Sequence, residues 1–350
     1  MKCRLNINPM HSYMHFNIKD MKNIFSGLSA IILIVCLFSS CEKQNMVENE
    51  KVKPILAEKS AEYYANLRAY KKSKHQIFFG WFGGISGPGD PLVAGVLDNM
   101  PDSVDVVGIW GGYPPLGSHN ASLIQKLREV KGTRFLWTMF GSNVESLMKK
   151  NFPNVELPQA IDSVAKSIAD TISKHQLDGF DLDYEPAYGD HSIFGDSGGS
   201  YATDDPDTQR LFKALSQYMG PMSGTDQLLI IDGQFDVGIE PYVNYLMQQA
   251  YGSTNQSQLQ GRLENFGGGV LPADKFVPCE DFEKHWKTGG VNFNDPKYGT
   301  VPSLIGFAYW QSNNGRKGGI GAYHAEYEYG STPDFNYIRR AIQIMNPAVK

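Results

Sequence analysis

The chain has 350 residues, room for one large α/β barrel or two average domains. Its 41% hydrophobic and 20% charged residues are those of an ordinary globular protein, which excludes an intrinsically disordered chain. A net charge of −5 gives no electrostatic footprint for nucleic acid, so no nucleic-acid partner is expected.

At the N-terminus, Lys22 precedes an apolar run from Ile24 to Phe38 that is short for a transmembrane helix. It reads as a targeting segment outside the fold, with Met21 as a candidate start. The run ends in Leu37-Phe38-Ser39-Ser40-Cys41, which resembles a bacterial lipobox with Phe38 where Leu is commoner. That resemblance implies lipidation of Cys41 and a membrane partner through the anchor. It also implies a place at the cell surface or in the periplasm of a Gram-negative-type bacterium. Removal of the segment would take Cys3 and Cys36 away and leave Cys279 alone beside a lipidated Cys41, so no intrachain disulfide is expected. Residues 42–53 are charged and polar, a tether.

From residue 54 onward the pattern is that of one folded unit. Ala57, Ala61, Tyr64, Leu67 and Tyr70 recur at helical spacing within Pro54–Lys74, which predicts a leading helix. Apolar strand-like runs then alternate with helices: Gln76–Phe82, Val104–Trp110, Arg134–Phe140, the stretch from Gly179, Gln227–Gly233, Tyr245–Gly252, Lys275–Cys279 and Gly319–Tyr323. Helices are expected near Ser122–Leu127, Pro158–His175, Thr208–Tyr218, Asn255–Asn265, Leu304–Trp310 and Phe335–Met345. Eight strand–helix units over about 275 residues predict a single (β/α)8 TIM barrel spanning 54–350, in the α/β class.

The fourth run is unlike the others. From Phe180 to Glu185 it alternates, so Asp181, Asp183 and Glu185 project to one side and Phe180, Leu182 and Tyr184 to the other. Strands are depleted in Asp, and three carboxylates on one face repel one another. At least one should therefore stay protonated near neutral pH, the state a general acid requires. Asp178-x-x-Asp181-x-Asp183-x-Glu185 resembles the DxxDxDxE signature of glycoside hydrolase family 18, the chitinases and endo-β-N-acetylglucosaminidases.

The residues leave no obvious second carboxylate on another strand to act as nucleophile: Asp232 and Glu280 near strand ends read as binding or helix-capping groups. The resemblance implies instead that the substrate's 2-acetamido oxygen attacks the anomeric carbon. Glu185 would then be the acid and base, Asp183 the residue that orients the acetamido N–H, and Asp181 its proton-sharing neighbour. Asp178 and Gly179 would be structural. Tyr251 would hold the acetamido oxygen, with Gln249 on the same strand face. Trp81, Trp110 and Tyr323, near the ends of the first, second and eighth strands, would bind substrate. No metal or other cofactor is implied.

Gln249-Ala250-Tyr251 and the ending Gly318-Gly319-Ile320-Gly321-Ala322-Tyr323-His324 look more like the bacterial endo-β-N-acetylglucosaminidases than the chitinases. The implied substrate is a glycan or glycoprotein. A chitinase or a catalytically dead glycan-binding barrel are the other readings. Which glycan is accepted would depend on the loops Ser86–Val93 and Ala187–Asp205. Cys279 reads as a buried thiol, and His324-Ala325-Glu326 lacks the zinc-binding HExxH spacing.

Overall fold

A computed structural model describes residues 59–85, 91–195 and 201–347. The lipobox at Cys41, the tether and part of the Ser86–Val93 loop lie outside the described residues. Strands β1 (Ile77–Phe82), β2 (Val106–Ile109), β3 (Arg134–Phe140) and β4 (Gly179–Tyr184) are followed by β5 (Leu228–Gly233), β6 (Tyr245–Gln249), β7 (Phe276–Asp281) and β8 (Gly319–Tyr323). Each pairs in parallel with its neighbour in sequence, and β8 closes onto β1. The fold is the (β/α)8 barrel that the repeat of apolar runs predicts.

The near-continuous apolar runs follow from a sheet buried on both faces. One set of side chains fills the barrel: Phe79, Trp81, Val106, Leu136, Ile230 and Met247. The alternate set packs outward under the helices: Phe78, Phe180, Leu182, Tyr184, Ile231 and Leu246. Helix α5 (Leu157–Lys174) shows how the outer layer is made. Ile161, Val164, Ile168 and Ile172 recur every three or four residues and form one buried stripe. Of the expected leading helix, residues 54–58 lie outside the described residues; α1 spans Ala61–Lys72 and has no fully buried residue. Side chains tie it down, with Lys71 Nζ donating to the Val104 carbonyl and to Thr133 Oγ1.

The third and eighth strands match the sequence reading residue for residue. The sixth stops at Gln249 instead of Gly252, because the chain turns with Gly252 at φ +69°. The seventh runs on to Asp281, which brings Glu280 into the strand. Helices α2 (Pro91–Asn99), α3 (His119–Lys131) and α4 (Gly141–Asn151) follow β1, β2 and β3, and α6 (Pro206–Leu215) and α7 (Gln256–Phe266) follow β4 and β6. Of these, α2 and α4 were not expected. Helix α4 starts on the last residue of β3 with no loop, and its N-cap, Phe140, supplies no side-chain bond. Asp190 from the β4 loop accepts the Ser142 N–H in its place, at 3.1 Å. A cap from 48 residues away leaves no local signal. A hairpin, Asn292–Asp295 with Gly299–Pro302, precedes α8 (Ser303–Tyr309), and α9 (Asn336–Met345) closes the chain.

Two residues at the start of β4 set its height in the barrel. Asp178 takes a bidentate ion pair from Arg128 at 2.7 Å and the Phe135 N–H at 2.9 Å. Gly179 adopts φ +151°, and a Cβ there would lie 2.0 Å from the Leu228 carbonyl oxygen. Gly179→Ala should therefore destabilise the barrel by at least about 2 kcal/mol, through backbone strain and displacement of β5. A thermal melt tests this; an unchanged midpoint would show that the strand start tolerates a side chain.

Candidate active site

Parallel pairing dictates where the acids meet. Asp183 is in register with Asp232 of β5, and Asp181 with Thr138 of β3, so these side chains all point into the barrel at its C-terminal end. One carboxyl oxygen from each of Asp183, Glu185 and Asp232 lies within 4.8 Å of the others. Asp181 and Asp232 are 0% and 1% exposed, whereas Asp183 and Glu185 are partly open to solvent. The row therefore has a buried floor and an accessible rim.

Asp181 is anchored at the floor. Its Oδ2 accepts the Trp81 indole N–H and the Thr138 hydroxyl, each at 2.9 Å. Burial nevertheless raises its pKa to about 6. Asp232 lies beside Asp183 across the β4–β5 pair, and its contact favours the ionised forms of Asp183 and Asp181. Its Oδ1 accepts the Gln249 side-chain amide at 3.0 Å. The remaining buried oxygens, Oδ1 of Asp181, Oδ1 of Asp183 and Oδ2 of Asp232, face no N–H or hydroxyl donor among the described residues. Burial pushes both Asp183 and Asp232 well above the ordinary carboxylate range, with neighbouring carboxylates adding to it.

Glu185 follows the last residue of β4 at φ −128°, ψ 48°, where the strand breaks into a turn of 3₁₀ helix, Pro186–Tyr188. Burial raises its pKa; the Gln249 amide acts against that and the charge of Asp190 adds to it. Asp190 was not expected at the site, since it lies inside a polar loop with no pattern of its own. The loop is tied down at Ala187, whose N–H donates to Gln234 Oε1 at 2.7 Å, and at Thr203, whose hydroxyl donates to Asp236.

Gln249 and Tyr251 do not share one strand face, because β6 ends between them. They are held by the segment's backbone. Arg262 of α7 donates to the carbonyls of Gln249 and Tyr251 at 3.2 and 3.5 Å. Glu280 accepts the Gly252 N–H at 3.3 Å and the Ser303 hydroxyl. Burial and nearby negative groups push the Tyr251 hydroxyl well up, so it is a neutral donor.

Aromatic rings form one wall. Tyr323 lies 6.2 Å from Tyr251, 6.4 Å from Trp81 and 6.0 Å from Trp110, centroid to centroid. Trp81 is 3% exposed, so it meets the site mainly through its bond to Asp181. Trp110 and Tyr323 are partly open. Trp310 is buried against Phe276. Cys279 is a buried free thiol inside the barrel. On the barrel's opposite face a cavity of about 300 Å³ opens among Lys71, His75, Tyr245, Lys275 and Lys317, away from the acids.

Glycoside hydrolase family 18, BT1044-like, matches residues 41–344. Endo-β-N-acetylglucosaminidase F2 of Elizabethkingia meningoseptica is 28% identical over 92% of this chain and 98% of its own. The solved structure of BT1044 superposes with a TM-score of 0.69 at 27% identity, covering 82% of this chain and 93% of that one. That of an endo-β-N-acetylglucosaminidase from Cordyceps militaris gives 0.59 at 21% identity, over 83% and 97%, a likeness of fold alone. A match over most of the chain, on a barrel that carries the acid row at its mouth, means that the chain belongs to glycoside hydrolase family 18.

Proposed function

We propose that the protein is an endo-β-N-acetylglucosaminidase. It cuts between the two core GlcNAc residues of N-glycans, with retention and with the substrate's 2-acetamido group as nucleophile. The observation that carries this reading is the arrangement of the acid row: an accessible Glu185 above a buried group of carboxyls. A retaining pair that forms a covalent intermediate needs an ionised nucleophile about 5 Å from the acid. Asp232 lies on another strand at such a distance. It is 1% exposed, however, and pushed towards its neutral form, so no sugar carbon can reach a carboxylate there. Substrate assistance remains. The family-wide chemistry and the F2 relative over 92% of the chain support the endo reading.

In the first step Glu185 gives its proton to the glycosidic oxygen as the C1–O bond breaks, and the acetamido oxygen closes on C1. Asp183 accepts the acetamido N–H, and Tyr251 donates its O–H to the acetamido oxygen. Glu185, now a carboxylate, then takes a proton from the water that adds to C1 and reopens the ring. Tyr323 and Trp110 offer ring faces to the sugar. The reading extends to a lipid anchor at Cys41 that keeps the enzyme at the cell surface or in the periplasm. Cys41→Ser should then move the protein expressed in its host from the detergent phase to the aqueous phase; continued partition into detergent would remove the anchor.

The direct test is mass spectrometry of a denatured N-glycoprotein incubated with the purified protein. One GlcNAc should remain per site, and the released glycans should be one GlcNAc short. An untouched glycoprotein with cleaved chito-oligosaccharides would replace this reading with a chitinase. If both survive, a glycan-binding barrel takes its place. Glu185→Gln should lower turnover by roughly 10²–10⁴-fold while glycan binding persists. Asp183→Asn should lower it by roughly 10²–10³-fold. Near-normal turnover in either would sink the assignment of roles.

The pH profile supplies a further check. Glu185 must be protonated to act as acid, so activity falls as pH rises through its raised pKa. The charge of Asp190 raises that pKa, and Asp190→Asn should move the alkaline limb of kcat to lower pH. A limb that stays in place would mean that another group sets it.

A further inference from the structure

Asp232 lies outside the acidic motif, on a different strand, and the steps above do not use it. Its position is nevertheless specific. Strand register sets it directly beside Asp183, and one carboxyl oxygen of each lies with one of Glu185 in a group within 4.8 Å. The Gln249 amide donates to Oδ1 at 3.0 Å and leaves Oδ2 outside that bond. That oxygen is buried and meets no N–H or hydroxyl donor among the described residues, and the same is true of Oδ1 on Asp183. Two facing carboxylate oxygens in a site 1% exposed at Asp232 would leave two like charges unpaired. A single proton on Oδ2 resolves both: Asp232 becomes neutral and donates, and Asp183 accepts.

We propose that Asp232 is a positioning residue, a neutral carboxylic acid whose O–H donates to Asp183 and holds it as the carboxylate that orients the substrate's acetamido group. The proposal rests on the substrate-assisted reading. It goes beyond the three-acid motif by making the fifth strand supply the proton that sets Asp183. Gln249 has a second task within it: its N–H fixes the orientation of Asp232 by occupying Oδ1, and its amide also bonds Glu185. Asp232 thus links the acetamido-orienting acid to the acid/base residue through one amide. The groups facing the pair are Asp181 and Glu185 from β4 and its end, Asp190 from the β4 loop, Tyr251 after β6 and Tyr323 of β8. None of these carries positive charge. No cation is therefore present among them to stabilise a second carboxylate, and the proton does so.

The sign of the pH effect follows. Donation from Asp232 favours the carboxylate of Asp183 and lowers its pKa relative to the same site without the bond. Removing the donor lets Asp183 take up a proton at higher pH, so activity on the acid side is lost sooner. Asp232→Ala should lower kcat by roughly 10–100-fold, the scale of one hydrogen bond to a charged group, with KM changed by less than about threefold. Its acid limb should move to higher pH. Asp232→Asn keeps an N–H donor at the same atom and should recover at least about tenfold of the loss, with the limb returning towards wild type.

An Asn variant as damaged as the Ala variant would overturn the proposal, since it would mean that Asp232 acts ionised, as a nucleophile or base. Full activity in both variants would overturn it equally. Infrared difference spectra of wild type against Asp232→Asn at neutral pH read the proton without turnover. Loss of a carboxylic-acid C=O band is expected, and loss of carboxylate bands instead would refute the neutral state. If wild type cleaves neither N-glycoprotein nor chito-oligosaccharide, the enzymatic reading fails while the infrared result still decides the state of Asp232.

Discussion

Like charges confined to a buried site are the constraint on which this structure depends. Asp181, Asp183, Glu185 and Asp232 lie at one barrel mouth, two of them sealed from water. In such surroundings the repulsion between neighbouring carboxylates is far larger than in solvent. The acids can coexist only by sharing protons and donors. Trp81 and Thr138 serve Asp181, Gln249 serves Asp232 and Glu185, and three further buried oxygens meet no N–H or hydroxyl donor among the described residues. Burial, with the charge of Asp190, raises the pKa of Glu185, the direction that protonation of a leaving group requires.

The barrel makes this crowding sustainable. Eight parallel strands buried on both faces form a rigid frame, and their C-terminal ends converge. Register then decides contact: Asp183 meets Asp232 because β4 and β5 are in step from Gly179 to Tyr184. Gly179 and Asp178 fix that step at the far end of the strand, one by fitting against the Leu228 carbonyl and the other by pairing with Arg128. Residues remote from the chemistry therefore set the spacing of the acids. Beyond the strand ends, Arg262 and Glu280 bind backbone groups on either side of Tyr251, so a residue in a turn is held nearly as firmly as one in a strand.

Much of this was legible in the sequence, and the limits are physical. Apolar runs revealed all eight strands because a doubly buried strand has no choice of polarity; Arg134–Phe140 and Gly319–Tyr323 emerged with their true bounds. The acidic face of β4 was plain from its alternation. What could not be read was pairing between strands. Asp232 looked like a binding or capping group because it belongs to no acidic motif in sequence, and only the register with Asp183 gives it meaning. Asp190 was hidden for the same reason. It bonds a helix that begins without a local cap, and both were missed together. Glu280 was taken for a binding or capping residue; its partners, Gly252 and Ser303, lie more than twenty residues away on either side.

The motif is thus only part of the site. A strand reading Asp-x-Asp-x-Glu guarantees three carboxyls in a row, but it does not determine which of them holds a proton. That is decided by what the adjacent strands and loops present: an indole and a hydroxyl at Asp181, an acid at Asp183, an amide and a distant charge at Glu185. Each neighbour acts on one acid more than on the others, which pushes their proton affinities apart. Separation of that kind allows one acid to donate while the next stays ionised against the substrate. The row could not assign those roles to itself, because three equivalent carboxyls on a symmetric surface would share protons indiscriminately. Asymmetry among β1, β3, β5 and β6 supplies the assignment.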